Sequence, residues 1–96
     1  MTPLHYAATY NHLSVVEYLV NQKADINVND KNNLTPLHWA AHNGHLSVVE
    51  YLVNQKADIN VKDKDGNTSL GLAKRSRNKD VVKFLKSKVG QCQTCH

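Results

Sequence analysis

A chain of 96 residues is too short for two ordinary domains, and its net charge of +4 is unevenly distributed. Residues 1–73 carry five Lys and seven Asp or Glu, whereas residues 74–96 carry seven Lys or Arg and one Asp. No apolar run approaches the roughly 18 residues of a membrane-spanning helix, and the first four residues do not resemble a signal peptide. Both cysteines fall within the last five residues, so they cannot crosslink the rest of the chain. We therefore expect one domain with an intracellular, cytoplasmic location.

The main feature of the sequence is a repeat with a period of 33 residues. Residues 2–34 and 35–67 are identical at 25 of 33 positions, and a fainter copy covers residues 68–90. A unit of this size cannot bury its own apolar face, but stacked units can, and about three are needed for stability. The repeat predicts one domain over residues 1–90 with a thin continuous core, followed by a disordered tail over residues 91–96.

Each unit is predicted to contain two short helices. The dipeptide Thr2-Pro3 indicates a helix start, because a threonine hydroxyl can accept a backbone N–H and proline suits the first helical position. This helix is expected to end near Asn11. A second helix is expected over residues 13–22, where Ser14 and Glu17 have the spacing of a capping box.

The later units repeat this pattern. Helices are expected over residues 36–43 and 46–55 in unit two, and the second helix of unit three is expected over residues 79–87. Between the helix pairs, Ile26 and Val28 alternate with polar residues, which indicates a short extended arm and a turn.

The second unit resembles the ankyrin repeat. The residues that carry the resemblance are Thr35-Pro36-Leu37-His38-x-Ala40-Ala41, Gly44-His45, Val48-Val49, Leu52 and Ala57-Asp58-x-Asn60. The match is close over residues 2–67 and loose over residues 68–88. The resemblance implies an all-α solenoid of stacked helix–loop–helix layers with projecting β-turn arms. Ankyrin arrays are typically protein-binding scaffolds without catalytic activity.

Some positions depart from the family pattern where backbone conformation matters. The glycine that usually ends the second helix is Lys23 in unit one and Lys56 in unit two. A left-handed backbone there costs a non-glycine residue on the order of 1 kcal/mol. The second arm turns at Asp65-Gly66, and Asn33 replaces that glycine in the first arm; asparagine tolerates positive φ better than most residues.

The two ends of the array differ. In unit three, Ser69 replaces the proline of the helix start, and Lys74, Arg77 and Lys86 replace small or apolar residues of unit two. We expect unit three to be a terminal capping repeat whose outer face meets water. The first unit has no such substitutions. This chain is therefore expected to be a fragment of a longer array or to have a partner on its first face, and an exposed face of this kind favours self-association.

Four histidines recur in register. His5 and His38 lie in the Thr-Pro-Leu-His stretch, and His12 and His45 lie at the starts of the second helices. One interpretation is a metal site or a catalytic base. The other is that these histidines tie adjacent loops by hydrogen bonds, as the resemblance implies. Recurrence in each layer favours the structural interpretation, because a catalytic constellation rarely repeats per unit.

The differences between units one and two indicate a candidate binding surface. A shared core demands sameness, whereas a recognition surface can differ from layer to layer, and Tyr and Trp are favoured at binding hot spots. In ankyrin arrays the corresponding first-helix and arm-tip positions line the concave binding face. Random drift at exposed positions is the alternative. The predicted partner-binding residues are Tyr6, Thr9, Tyr10, Lys31, Asn32, Leu34, Trp39, His42, Asn43, Lys64, Asp65, Asn67, Arg75 and Ser76.

The end of the chain is strongly basic. A patch for nucleic acid or for an acidic membrane is one interpretation. No nucleic-acid-binding motif accompanies the charges, which favours a solvated cap. The residues concerned are Lys74, Arg75, Arg77, Lys79, Lys83, Lys86 and Lys88.

The last five residues, Cys92-Gln93-Thr94-Cys95-His96, have the pattern of covalent c-type haem attachment. The sequence offers neither haem-burying helices nor a distal ligand around this motif. A disordered end, with a redox-active or weakly zinc-binding cysteine pair, is the favoured interpretation. We therefore predict no cofactor and no metal site.

These observations lead to one functional expectation with one alternative. We expect a scaffold that binds a partner protein of unknown identity through its concave face. The alternative is a structural segment of a longer array with no dedicated partner. An enzyme is not expected, because the sequence has no phosphate-binding glycine loop and no nucleophile with an adjacent base. Neither a small-molecule substrate nor a nucleic-acid partner is expected.

Overall fold

The computed structural model describes the backbone of residues 2–94 and the side chains of residues 2–88. Over the described backbone it contains six helices and no strand, which confirms the predicted all-α repeat stack. The helices are α1 (Pro3–Thr9), α2 (Leu13–Asn21), α3 (Pro36–His42), α4 (Leu46–Asn54), α5 (Ser69–Arg75) and α6 (Lys79–Thr94).

The Thr-Pro dipeptides start the first helices of units one and two, as predicted. The hydroxyl of Thr35 accepts the backbone N–H of His38 at 3.3 Å, and Nδ1 of His38 accepts the backbone N–H of Thr35 at 3.0 Å. Thr2 and His5 form the same reciprocal pair. This is a capping box in which histidine takes the place usually held by Glu or Gln. Two backbone donors at each helix start are satisfied by it.

The capping box predicted for the second helices is wrong. The N-cap residues of α2 and α4 are His12 and His45, and neither side chain bonds the helix start. Asn11 adopts a left-handed φ of 61°, which separates α1 from α2, and α2 starts at Leu13 as predicted. Ser14 therefore lies inside the first turn of α2, where it cannot act as an N-cap.

The last helix is longer than predicted. It continues to Thr94 and includes residues 91–94, for which a disordered tail was expected, whereas Cys95 and His96 lie outside the described residues. No proline interrupts the chain after Ser87, and Gly90 costs a helix only about 1 kcal/mol. Once a helix is formed, each further residue adds a backbone hydrogen bond, which favours its extension.

The helices stack in two rows. One row contains α1, α3 and α5, and the other contains α2, α4 and α6, within overall dimensions of 33 × 26 × 21 Å. Alanines in the first row allow the helices to approach closely, while full burial of a leucine contributes roughly 1.5–3 kcal/mol. The buried apolar residues are Leu4, Ala7, Ala8, Val16, Leu37, Ala40, Ala41, Val48, Val49, Leu52, Ala57, Ala73, Val81 and Leu85.

The connections between units are turns. Ile26 and Val28 do not lie in an extended arm, because the backbone N–H of Val28 donates to the carbonyl of Asp25 at 3.3 Å and closes a turn. The arm tips turn where Asn33 and Gly66 adopt φ of 62° and 83°, as their residue types predicted. The backbone N–H of Lys64 donates to the carbonyl of Asn32 at 3.1 Å and joins the two arms.

The two end faces differ as the sequence predicted. The outer residues of unit three, Lys74, Arg77 and Lys86, are exposed. On the first face, Val15 is 46% exposed, whereas its counterpart in unit two, Val48, is completely buried beneath unit one. The same apolar surface is therefore covered in one unit and open in the other.

Candidate protein-binding surface

Histidines connect successive units and position the arms. Nε2 of His5 lies 2.8 Å from the carbonyl oxygen of Leu34, and Nε2 of His38 lies 3.1 Å from that of Asn67. Nε2 of His45 lies 2.8 Å from the carbonyl oxygen of Thr9. These contacts confirm the structural interpretation for three of the four histidines. The fourth, His12, is exposed on the open first face.

The hydrogen bonds of His38 define its protonation. A carbonyl oxygen only accepts, so Nε2 carries the proton and Nδ1 is free to accept the N–H of Thr35. Burial lowers the pKa of His38 below its ordinary value of 6.5 and outweighs the opposing hydrogen bonds and the attraction of Asp63 and Asp30. A protonated ring would aim an N–H at the Thr35 N–H. Burial of the ring and the acceptor role of Nδ1 therefore favour the neutral form.

Asp30 holds the first arm beside Trp39. Oδ1 of Asp30 accepts the backbone N–H of Asn32 at 2.8 Å and of Leu34 at 3.0 Å, and Oδ2 accepts Nε1–H of Trp39 at 3.2 Å. Burial by itself would raise the pKa of Asp30, but these hydrogen bonds outweigh it and lower the pKa below 3.8. The arm tip and the indole ring are thereby fixed relative to each other.

The inner surface contains a small pocket between the arms and the first-row helices. Its volume is about 160 Å³. Its apolar lining comes from three successive layers, through Leu34, Trp39 and Leu72, and its polar lining comes from His38, His42 and Asp63. A pocket of this size accommodates one side chain of a partner rather than a whole small molecule.

The predicted site residues do not all lie in this pocket. A hydrogen bond of 2.9 Å joins Nδ1 of His42 to Oγ of Ser76, and both lie on the surface of the first helical row. Residues exposed at the surface are Tyr6, Tyr10, Lys31, Asn32, His42, Asn43, Lys64, Asp65 and Arg75. Half-buried residues are Thr9, Leu34, Trp39, Asn67 and Ser76.

Two predicted residues lie apart from the pocket. Tyr6 and Tyr10 are 52% and 64% exposed, and they line a depression on the open first face together with Pro3, His12 and Val15. The structure therefore divides the predicted surface into a central part around Trp39 and a part at the first face.

Sequence reasoning missed three residues of the central part. Leu72 occupies the same repeat position as Trp39, so the 33-residue register could have found it. Asp30 and Asp63 occupy the same position in units one and two. A comparison that looks for differences between the units therefore gives no signal for them.

Asn78 was also missed, and it replaces the histidine tie at the last junction. Its Nδ2 donates to the carbonyls of Ala41 and His42, both at 2.9 Å. Gly44 is needed beside it, because a Cβ there would lie 2.8 Å from Oδ1 of Asn78. Asn78 aligns with His45 and His12 in the 33-residue repeat. That alignment could have predicted that Asn78 contacts the preceding unit.

The described residues contain no group of three or more His, Cys, Asp or Glu side chains placed to hold a metal ion. None of the helices in the described part of the chain is long and apolar enough to cross a membrane. On the inner surface, Asp30 and Asp63 bond the backbone of the two arms, and His38 joins a helix start to the second arm.

The repeat period, the stacked helix pairs and the histidine ties define a class of protein. A family model described as ankyrin repeats, in three copies, matches residues 4–95. The chain belongs to the ankyrin-repeat family. Members of this family are generally protein–protein interaction modules and are typically not enzymes.

Proposed function

We propose that this chain binds a partner protein through its concave face, formed by the first-row helices and the arm tips. The observation that carries the proposal is the pocket in which Leu34, Trp39 and Leu72 come together from three layers. Apolar and aromatic groups in a pocket with a polar rim are typical of binding hot spots. Outside the pocket, the proposed surface includes the arm-tip residues Lys31, Asn32, Lys64 and Asp65 and, at the end of α5, Arg75 and Ser76.

The arrangement around Trp39 favours a binding surface over random sequence variation at exposed positions. Its ring is half-buried and its Nε1–H is held by Asp30, so little conformational entropy would be lost on association. An anchored aromatic side chain offers a partner a preformed contact. The exposed charges on the arms would add selectivity more than affinity.

The repeat itself supplies substitutions that test this face. Trp39→Leu installs the residue that unit three has at this position, and Leu34→Asn installs the residue that unit two has at the arm tip. Both substitutions leave in place the backbone carbonyl groups that the histidines of the first helices contact. A partner captured from lysate would be titrated against the purified chain, and we expect each substitution to weaken affinity by roughly tenfold or more, which is about 1.4 kcal/mol.

For the unaltered chain and for Leu34→Asn, Trp39 also provides the readout, because it is the only tryptophan in the sequence; the affinity of Trp39→Leu is measured by titration calorimetry. Its emission should shift when the partner binds at this face. Ser47→Ala, at an exposed position of the second-row helix α4, is the matched control and should leave affinity unchanged. If Trp39→Leu binds as tightly as the unaltered chain, the concave face is not the binding surface. If no protein is retained from lysate at all, the alternative of a structural segment is favoured.

We also infer that the open first face supports self-association. Tyr6, Tyr10 and Val15 line it, with exposed fractions of 52%, 64% and 46%. Clusters of this kind mark interaction surfaces on folded proteins.

A further inference from the structure

A second groove lies on the outer face of unit three, away from the concave pocket. It runs between the end of α5 and the exposed side of α6 and has a volume of about 490 Å³. Val82 is half-buried, whereas the cationic side chains around it are exposed. The groove thus has an apolar floor and a basic rim. The lining residues are Lys74, Arg77, Lys79, Val82, Lys83 and Lys86.

The groove occupies the position where another repeat would stack. In unit two, the counterparts of Lys74 and Val82 are Ala41 and Val49, and both are completely buried against unit three. Placing the ammonium group of Lys74 in a contact of that kind would leave a buried charge without a partner. A helix pair of the same type therefore does not fit this face.

The groove is more uniformly basic than exposure to solvent alone requires. Mixed charges would meet water equally well, but the rim is entirely basic, and Asp80, the only acid within residues 74–96, does not line the groove. Lys79 and Lys83 are four residues apart on one helix, and Lys83 and Lys86 are three apart. Like charges at these spacings destabilise a helix by a few tenths of a kcal/mol. An anionic partner would relieve that repulsion.

We propose that this groove binds an acidic segment of a partner protein, with an apolar side chain on Val82 and carboxylates at the basic rim. Duplex DNA would engage the cations but leave the apolar floor uncovered. An acidic bilayer would meet the exposed ammonium groups first, and the half-buried Val82 would not reach the acyl chains. A peptide with both acidic and apolar side chains matches floor and rim together. This surface is distinct from the concave face, so the two can bind independently.

The test uses a fluorescein-labelled peptide with Glu and Leu at helical spacing, titrated with the full chain at about 150 mM salt. Anisotropy should rise on binding. Two altered peptides separate the contributions: replacing Glu by Gln should remove the attraction to the rim, and replacing Leu by Ser should remove the contact with the floor. We expect each altered peptide to bind roughly tenfold more weakly or worse.

Charge-reversal variants locate the site on the protein. Lys83→Glu combined with Lys86→Glu should abolish binding of the acidic peptide. Lys23→Glu combined with Lys62→Glu changes the net charge equally, at exposed positions outside both surfaces, and should leave binding almost intact. If the first variant unfolds in circular dichroism melts, Lys83→Gln with Lys86→Gln replaces it and should show a partial loss.

Several results would overturn the proposal. They are absence of peptide binding, equal binding of the Gln or Ser peptide, and equal loss in both charge-reversal variants. Tighter binding of a short DNA duplex, or of phosphatidylserine vesicles, than of the acidic peptide would assign the groove to that other class of ligand.

Discussion

At the scale of single residues, the repeat junctions require left-handed backbone at positions where this chain often lacks glycine. Asn11, Lys23, Asn33, Lys56 and Arg77 all have positive φ. Asparagine tolerates this conformation, but lysine has no side-chain feature that favours it. The neighbouring turns impose the conformation, and the cost is offset by burial in the stack.

Replacing Lys56 by glycine should stabilise the protein. Lys56 has φ of 71° and an exposed side chain, so glycine relieves backbone strain without removing a buried contact. We expect the free energy of unfolding to rise by about 0.5–1 kcal/mol, the relief being partly offset by the greater entropy of glycine in the unfolded chain. Equilibrium urea melts measure the difference.

The control for this substitution is Lys62→Gly. Lys62 is also exposed but does not have positive φ, so glycine there should lower the urea midpoint or leave it unchanged. A lower midpoint for Lys56→Gly would contradict the strain argument.

At the scale of elements, the Thr–His capping box links helix start, arm and neighbouring layer through one side chain. His38 caps α3 through Nδ1 and holds the second arm through Nε2. In unit three, Gly71 takes the histidine position, and the cap is reduced to a single bond from Gly71 N–H to the Thr68 hydroxyl at 3.1 Å. Ser69 there has a buried hydroxyl without a hydrogen-bond partner. The last first-row helix therefore has the least complete start of the three.

This linkage predicts a loss of stability on mild acidification. The pKa of His38 is lowered in the folded protein, so the unfolded chain takes up this proton first. Stability should be constant with respect to His38 above about pH 6.5 and should fall as the pH drops below that value. A second loss is expected below pH 3.8, where Asp30 and Asp63, whose pKa values are also lowered on folding, become protonated. Urea midpoints measured from pH 8 to pH 3 trace both phases.

Two variants assign the first phase. His38→Gln removes the titrating group and should flatten the profile between neutral pH and the onset of the second phase, although its overall stability is lower. His12→Gln alters an exposed ring and should leave the profile as it is. A midpoint that increased on acidification from pH 7 to pH 5 would refute the assignment.

At the scale of the whole molecule, the two end faces have opposite character. The first face is apolar and open, and the last is basic and grooved. Because units one and two are nearly identical, the difference between Val15 and Val48 arises from position in the stack alone. Stacking buries in one layer the surface that the first layer exposes.

The open face should make association depend on concentration. Sedimentation velocity across a range of micromolar concentrations is expected to show an increasing mass for the unaltered chain. Val15→Lys places a charge in the apolar face and should hold the protein as a monomer. Ser14→Lys, at an exposed neighbouring position that does not line the face, should still associate. A constant monomeric mass for the unaltered chain would rule out self-association through this face.

The sequence by itself determined the repeat, the helix pairs, the left-handed positions at Lys23, Asn33, Lys56 and Gly66, and the basic last face. These follow from local chemistry: Thr-Pro dipeptides start helices, Asn and Gly allow positive φ, and a 33-residue period requires stacking. Only the tertiary structure decided which side chains come together in the concave pocket. Leu34, Trp39 and Leu72 belong to three layers, and their distances depend on how the layers stack. The contact of His38 with the second arm and the contacts of Asn78 with α3 likewise join segments distant in sequence, where pairing cannot be read from residue type alone.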